Sequence, residues 1–324
     1  MKKHHFVAIG LLGLLGLSLP LSPAWAQANW PSRTVRIIVP YPPGGPVDLL
    51  ARAMAPRLGE VLGQNVIIEN KAGASGTIGM DATIKADPDG HTFGFGVPGG
   101  ITVMPHLQKL PYAVEEINYV SLVARVPQVI TVGPQSPAKT LPELIALAKK
   151  EPGKINYGSA GNATTPHLGA ELFAQEAGIK MVHVAYKGAA PAVTALIGGE
   201  IQVLAADLPA VVNFTSRGVK ILAVSGPQRV EAMPNVPSTT ELGLPGVYVE
   251  SNYGIIAPKG TAAAIVQKMQ SALVTTLATP ALKQQFLTMG ATAVSTTPQE
   301  YRELMQSESA KWGDLVKKAK ISLE

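Results

Sequence analysis

"PYPPGGPVD", residues 40–48, is the stretch of sequence that decides the fold. It follows the apolar run "TVRIIV" at residues 34–39, and it leads into residues 47–62, where apolar side chains recur at helical spacing. A buried strand that ends in a short loop and continues as a helix is the first half of a βαβ unit. The stretch therefore predicts an α/β protein with a parallel sheet.

The loop in this stretch is composed to expose backbone amides. Pro42 and Pro43 restrict its conformational freedom, whereas Gly44 and Gly45 place no side chain between the backbone and an approaching ligand. Pro46 suits the first position of a helix, where a missing N–H group costs little. Because a helix start combines free N–H groups with the positive end of the helix dipole, we predict an anion site here.

Asp48 lies in the first turn of that helix and argues against an anion site, because its carboxylate repels a negatively charged ligand. Two roles are open from the sequence alone. Asp48 either stabilises its own helix start, where acidic residues are favoured, or accepts a hydrogen bond from a hydroxyl, an ammonium group or a bound water of the ligand.

Strands and helices continue to alternate along the chain. Strands are predicted at residues 65–70 and 91–97, with a helix at residues 75–86 between them. A second α/β unit follows between residues 141 and 225. Such an alternation is typical of a mostly parallel sheet with helices on its faces.

Two long apolar stretches flank the second unit, at residues 119–134 and 247–258. Neither contains a helix between its halves, so we expect both to cross between two lobes. The predicted architecture is a clamshell, with residues 27–125 plus 250–324 in lobe 1 and residues 126–249 in lobe 2. Ligands of open α/β sheets bind beyond the carboxyl ends of the strands, so the cleft between the lobes is the expected site.

A second loop, "YGSAGNATTPHL" at residues 157–168, resembles the first in its arrangement. It follows a predicted strand, carries the hydroxyls of Ser159 and Thr164, and enters a helix at Pro166 after Thr165, a good N-cap residue. Many such loops bind nothing when taken singly. Two of them facing each other in a clamshell favour a small ligand with negative charge at one or both ends.

Residues 1–26 have the composition of a secretory signal peptide. Lys2 and Lys3 precede an apolar run at residues 6–19, and "Ala24-Trp25-Ala26" offers small residues at the positions that a signal peptidase reads. The run is short for a membrane anchor, so we expect cleavage after Ala26 and export to the periplasm. The chain has no cysteine, which leaves neither a disulfide framework nor a lipid attachment site.

Charge and motif patterns argue against several other functions. The formal net charge is +5, it falls by two when the signal is removed, and the cations are scattered, so nucleic acid is not an expected partner. "GFGVPG", residues 94–99, matches a dinucleotide motif, but its first glycines fall inside a predicted strand, so we expect no cofactor. His167 and Glu171 alone do not make a metal site.

An exported serine hydrolase is the main alternative from another functional class. "YGSAG" partly matches a nucleophile elbow centred on Ser159, but Tyr157 replaces the first glycine and no histidine follows Asp207. Tyr41, Tyr186 and Asp207 lie at predicted strand ends, where they can contact a ligand or make ordinary tertiary hydrogen bonds.

Three blocks of sequence, at residues 30–92, 157–202 and 223–246, resemble Bug-type receptors, the substrate-binding proteins of tripartite tricarboxylate transporters. The resemblance implies the two-lobed α/β fold of type II periplasmic binding proteins, no catalysis, and a small carboxylate ligand. It also implies a monomer that delivers its ligand to the membrane subunits of a transporter. A sensor that presents its closed form to a signalling partner is the alternative.

The resemblance, together with the loop patterns, nominates the ligand-binding residues. The Bug-type receptors hold a carboxylate through backbone groups and ordered water of the proline–glycine loop. The nominated residues are Tyr41, Gly44, Gly45, Pro46, Val47, Asp48, Gly99, Ser159, Ala160, Gly161, Asn162, Ala163, Thr164, His167, Tyr186 and Asp207.

The sequence departs from the family pattern at five positions. The departing residues are Gly100, Ile101, Ala163, Ala206 and Asn252. We expect several of them to line the cleft, which predicts a less aromatic distal pocket and an unusual ligand.

Overall fold

A proline–glycine loop joins the first strand to the first helix, as the sequence predicts. The computed structural model describes residues 30–319 and 321–323, so the predicted signal peptide lies outside the described residues. The strands are β1 Val35–Val39, β2 Val66–Asn70, β3 Thr92–Gly96, β4 Asn118–Val132, β5 Asn156–Ser159, β6 Val182–Ala185, β7 Val203–Asp207, β8 Lys220–Val224, β9 Glu250–Ala257 and β10 Thr292–Ala293.

The helices cover the faces of the sheet and close the chain at its C-terminal end. They are α1 Pro46–Leu62, α2 Thr77–Ile84, α3 Leu141–Lys150, α4 Thr165–Ala177, α5 Ala189–Gly198, α6 Leu208–Val211, α7 Ala263–Leu277, α8 Pro280–Thr288 and α9 Pro298–Ala319. None of the helices within the described residues is both long enough and apolar enough to cross a membrane.

The strands form one mixed sheet in the order β2-β1-β3-β9-β4-β7-β5-β6, with β8 and β10 pairing to β4. β1 pairs in parallel with β2 and β3, and β5 pairs in parallel with β6 and β7. These two parallel groups are the two predicted α/β units, and they place the carboxyl ends of their strands beside the loops that begin α1 and α4.

β4 and β9 join the two groups, which confirms the predicted crossing strands. The first part of β4 pairs antiparallel with β9 as far as Pro127, and the rest pairs with β7 from Gln128 and with β8 from Val129. The change of partner falls close to the predicted division at residue 125. The exact lobe boundaries stay a prediction.

Apolar side chains of β7 alternate between the two faces of the second sheet region. Val203 and Ala205 join one buried cluster with Phe173, whereas Leu204 and Ala206 join another with Leu196. This alternation follows from the two-residue period of a strand. Both faces are covered, so the strand reads as a continuous apolar run and ends at the carboxylate of Asp207.

The C-terminal helix α9 packs back onto the first strand group. Tyr301 is fully buried, donates a hydrogen bond to the carbonyl of Gly96 at 3.3 Å, and meets the ring of Tyr119 edge-to-face at 4.9 Å. The predicted closure of lobe 1 by C-terminal helices agrees with these contacts.

The structure differs from the predicted elements in two short segments. A 3-10 turn at Ala74–Gly76 precedes α2, with positive φ angles of 44° and 53° at Ala74 and Ser75, so the helix begins two residues later than predicted. A π-helical turn at Gly99–Val103 follows β3, where the sequence predicts only a loop. Neither turn has an apolar periodicity that would reveal it.

Candidate ligand-binding site

A cavity lies at the carboxyl ends of the strands, where both α/β units and the crossing strands meet. It encloses an empty volume of about 620 Å³ that is partly open to solvent. Its walls are formed by Tyr41, Pro42, Gly45, Pro46, Val47, Pro98, Gly99, Ala160, Thr164, Thr165, Pro166, Gly188, Ala189, Leu204, Ala205, Ala206, Asp207 and Tyr253.

The starts of three helices converge on this cavity. α1, α4 and α5 have 17, 13 and 10 residues, and each contributes its first residues to the walls. Within the described residues, the amides of Val47, Thr165 and Ala189 have no hydrogen-bond partner. The positive ends of three helix dipoles therefore point toward one small volume, which favours a bound anion.

Asp48 does not line the cavity, and its hydrogen bonds run to its own loop, its own helix and the end of β2. The residue is 2% exposed, and its carboxylate accepts hydrogen bonds from the Gly44 amide at 2.9 Å, from Nε of Arg52 at 3.0 Å and from Nδ2 of Asn70 at 2.9 Å. Burial raises its pKa, but these donors outweigh the effect and leave the pKa below its ordinary value. Asp48 thus holds the loop in shape, and the Gly44 amide is already engaged.

Asp207 is the one nominated acid that reaches the cavity. It is 4% exposed, and its oxygens accept hydrogen bonds from the hydroxyl of Ser251 at 2.7 Å and from that of Tyr253. Burial raises the pKa of Asp207 to about 6, while these two donors oppose a further rise. The half-buried Tyr41 lies on the same wall and donates to the carbonyl of Ser75 at 3.2 Å.

The second nominated loop divides into residues that face the cavity and residues that lie behind it. Ala160 and Thr164 line the cavity, whereas Gly161, Asn162 and Tyr186 line a neighbouring void of about 1080 Å³. Tyr41 and Ala160 border both voids, so the two are adjacent.

Ser159, Ala163 and His167 are buried residues of this segment and do not line either void. The Ala163 amide donates to Nδ1 of His167 at 3.1 Å, and Ala163 has a φ of 58°. His167 stacks on His183 with ring centroids 3.9 Å apart. Burial and the neighbouring His183 lower the pKa of His167 to about 3. Burial lowers the pKa of His183 to about 4, so both rings are neutral.

A Ser–His contact exists, but it is not placed for hydrolysis. Oγ of Ser159 lies 2.7 Å from Nε2 of His183 and donates to the carbonyl of Gly161 at 3.0 Å. Ser159 is fully buried, and no carboxylate within the described residues is hydrogen-bonded to His183. A nucleophile needs access to substrate and an oriented base, and this serine has no access.

Among the five departures from the family pattern, Ala206 lines the cavity. The other four departures, Gly100, Ile101, Ala163 and Asn252, do not line it. Asn252 alternates with Ser251 and Tyr253 along β9, so its side chain points to the opposite face from Asp207. The carbonyl of Gly100 accepts a hydrogen bond from the hydroxyl of Tyr112 at 2.8 Å.

Sequence reasoning missed part of the cavity wall. The sequence signal for the start of α5 is Gly188, which directly precedes an apolar helix. In the structure this glycine has a φ of 105°, which few other residues adopt. Tyr253 and the strand residues of β7 carried no local signal, because a buried strand residue and a cavity-lining one look alike in sequence. Within the described residues, no cluster of His, Asp or Glu could hold a metal ion.

Comparisons with known proteins agree with this arrangement. Residues 50–321 match the family TctC, described as the tripartite tricarboxylate transporter family receptor. The protein BugT of Bordetella pertussis is 33% identical over 316 residues, which cover 95% of this chain and 95% of that protein.

Solved structures show the same fold. A structure described as R. palustris Rpa4515 with adipate has a TM-score of 0.87 and 32% identity, covering 90% of this chain and 99% of that one. A structure described as MatC from Rhodopseudomonas palustris with bound malate has a TM-score of 0.83 and 29% identity, covering 89% and 99%.

Proposed function

We propose that this chain, which belongs to the tripartite tricarboxylate transporter receptor family, binds a small carboxylate in the cavity between its lobes. The family is one of periplasmic receptors, and relatives have been solved with adipate and with malate. The receptor delivers its ligand to the membrane subunits of a tripartite transporter, it carries out no catalysis, and its signal peptide is cleaved after Ala26.

The observation that carries the proposal is the convergence of three helix starts on one cavity. No lysine or arginine is present among the cavity-lining residues, all of which belong to the described part of the chain. The attraction for an anion therefore comes from backbone amides and helix dipoles, which are fixed before the ligand arrives and lose little entropy when it binds. Closure of the lobes around the ligand would be a hinge motion at β4 and β9.

A matched pair of variants tests the role of the helix starts. Ala189 lines the cavity and Ala190 is exposed, although both lie in the first turn of α5. Asp at either position interacts favourably with the helix dipole, and urea unfolding of both variants checks that each folds. Only Ala189→Asp places a second negative charge beside the ligand.

We expect Ala189→Asp to weaken carboxylate binding by at least about a hundredfold, since like charges a few ångströms apart repel by several kcal/mol at low effective dielectric constant. Ala190→Asp should stay within about threefold of wild type. Isothermal titration measures both affinities, with whichever of succinate, glutarate, adipate and their monoamides binds the wild type most tightly. Equal affinities for the two variants would show that the carboxylate binds elsewhere.

A further inference from the structure

Asp207 is a buried acid that faces the ligand cavity with no cation beside it. It is 4% exposed and lines the cavity, yet no ion pair to it forms among the described residues. Lys187 is exposed and borders the neighbouring void, not this cavity. A buried carboxylate without a counter-charge is costly unless hydrogen-bond donors surround it.

The protein supplies Asp207 with two donors, the hydroxyls of Ser251 and Tyr253, one to each oxygen. An ionised carboxylate has about four acceptor positions. Roughly half of them are therefore left for groups inside the cavity. Tyr41 and Tyr253 are the other titratable groups among the cavity-lining residues, and the Tyr41 hydroxyl donates to the carbonyl of Ser75.

Among the described residues that line the cavity, no other side chain carries a formal charge. β4 places Gln128 opposite it in the sheet register, and α1 and α4 contribute Pro46 and Pro166 to the cavity. A ligand with a second carboxylate would bring a like charge to this wall, and one of the two acids would have to be protonated. A ligand with a donor there would complete the hydrogen bonding of Asp207.

We propose that the ligand is a monocarboxylate whose far end carries a hydrogen-bond donor, an amide, a hydroxyl or an ammonium group, that binds Asp207. Its carboxylate occupies the helix starts, so the inference rests on the proposed function. The chain then discriminates against dicarboxylates at neutral pH.

Isosteric ligand pairs test this directly. Succinate and succinamate, glutarate and glutaramate, and adipate and adipamate differ only in a carboxylate replaced by an amide. Titration calorimetry at about pH 7.5, on full-length secreted protein freed of bound ligand, should give at least about tenfold tighter binding of the monoamide for the best-fitting length. Diacids that bind as tightly as their monoamides would overturn the inference and leave the proposed function intact. Failure of all these probes to bind would overturn the proposed function as well.

The variant Asp207→Asn removes the charge and keeps the shape. Its amide can donate to a carboxylate, so the preference for the monoamide should fall by at least about tenfold. Asp87→Asn is the matched control, because Asp87 is exposed and outside the cavity walls; its preference should equal that of wild type. An unchanged preference in Asp207→Asn would overturn the inference.

A pH series on the unmodified protein gives a second test that does not depend on the variant folding. Because burial places the pKa of Asp207 at about 6, diacid binding that requires its protonated form should strengthen by up to roughly fifty-fold from pH 8 to pH 6. Monoamide binding should not strengthen. Parallel pH profiles for both ligands would contradict the inference.

Discussion

Replacing Gly99 by alanine should prevent the cavity from closing without altering the fold. A methyl group on Gly99 would lie 3.0 Å from the carbonyl oxygen of Ala163 and 3.5 Å from Cα of Thr164. Gly99 belongs to the first strand group, whereas Ala163 and Thr164 belong to the second. The methyl group would therefore keep the two predicted lobes apart. The atoms it meets are backbone and cannot rotate away.

The expected size of the effect follows from this overlap. Inserting a methyl group into a packed contact costs about 1–3 kcal/mol. If the clash exists only in the closed form, that cost appears as a loss of ligand affinity of roughly 5- to 150-fold. The free energy of unfolding of the ligand-free protein should change by less than about 1 kcal/mol, because opening at the hinge relieves the clash.

Titration calorimetry with the tightest-binding carboxylate measures the affinity, and small-angle scattering reports whether ligand still reduces the radius of gyration. Gly198→Ala is the matched control, since a methyl group there meets only the Glu200 carboxylate at 3.8 Å. Wild-type affinity in Gly99→Ala would refute the reasoning. So would an equal loss of unfolding free energy without ligand, which would mean that the two strand groups do not separate.

Three further outcomes are expected. Asp48→Ala should lower the free energy of unfolding by about 2 kcal/mol, because it removes a buried carboxylate that accepts hydrogen bonds from Gly44, Arg52 and Asn70. Asp87→Ala, at an exposed position, should change it by less than about 0.5 kcal/mol in urea unfolding. The pKa of His167 is about 3 in the folded protein against 6.5 ordinarily, so the unfolded chain takes up a proton first as the pH decreases, and the free energy of unfolding decreases with it. On the order of 3 kcal/mol should be lost between about pH 6.5 and pH 4, and His167→Gln should abolish that loss. Ser159→Ala should keep carboxylate affinity within about threefold in titration calorimetry, and a larger loss would place this buried serine at the ligand.

The sequence predicts the elements well wherever a strong local pattern exists. The loop at residues 40–48 combines an apolar run, turn residues and helical spacing, and β1 and α1 lie within one residue of their predicted bounds. The crossing of β4 was predictable because a strand of 15 residues with no helix in it has to extend past one lobe.

The site was less predictable, because side-chain direction and long-range contacts decide it. Asp48 and Asp207 are both acids beside a predicted loop, yet one turns back to its own helix and the other faces the cavity. Tyr253 reaches Asp207 from a strand 46 residues further along the chain. Such a pairing depends on sheet register, which no local pattern reports.

The position of the carboxylate in a crystal structure of the ligand-saturated protein tests the central claim most directly. We expect its oxygens about 2.7–3.1 Å from the amides of Val47, Thr165 or Ala189, or bridged to them by one ordered water. A carboxylate held by a lysine or arginine side chain, with those helix starts facing empty solvent, would contradict it.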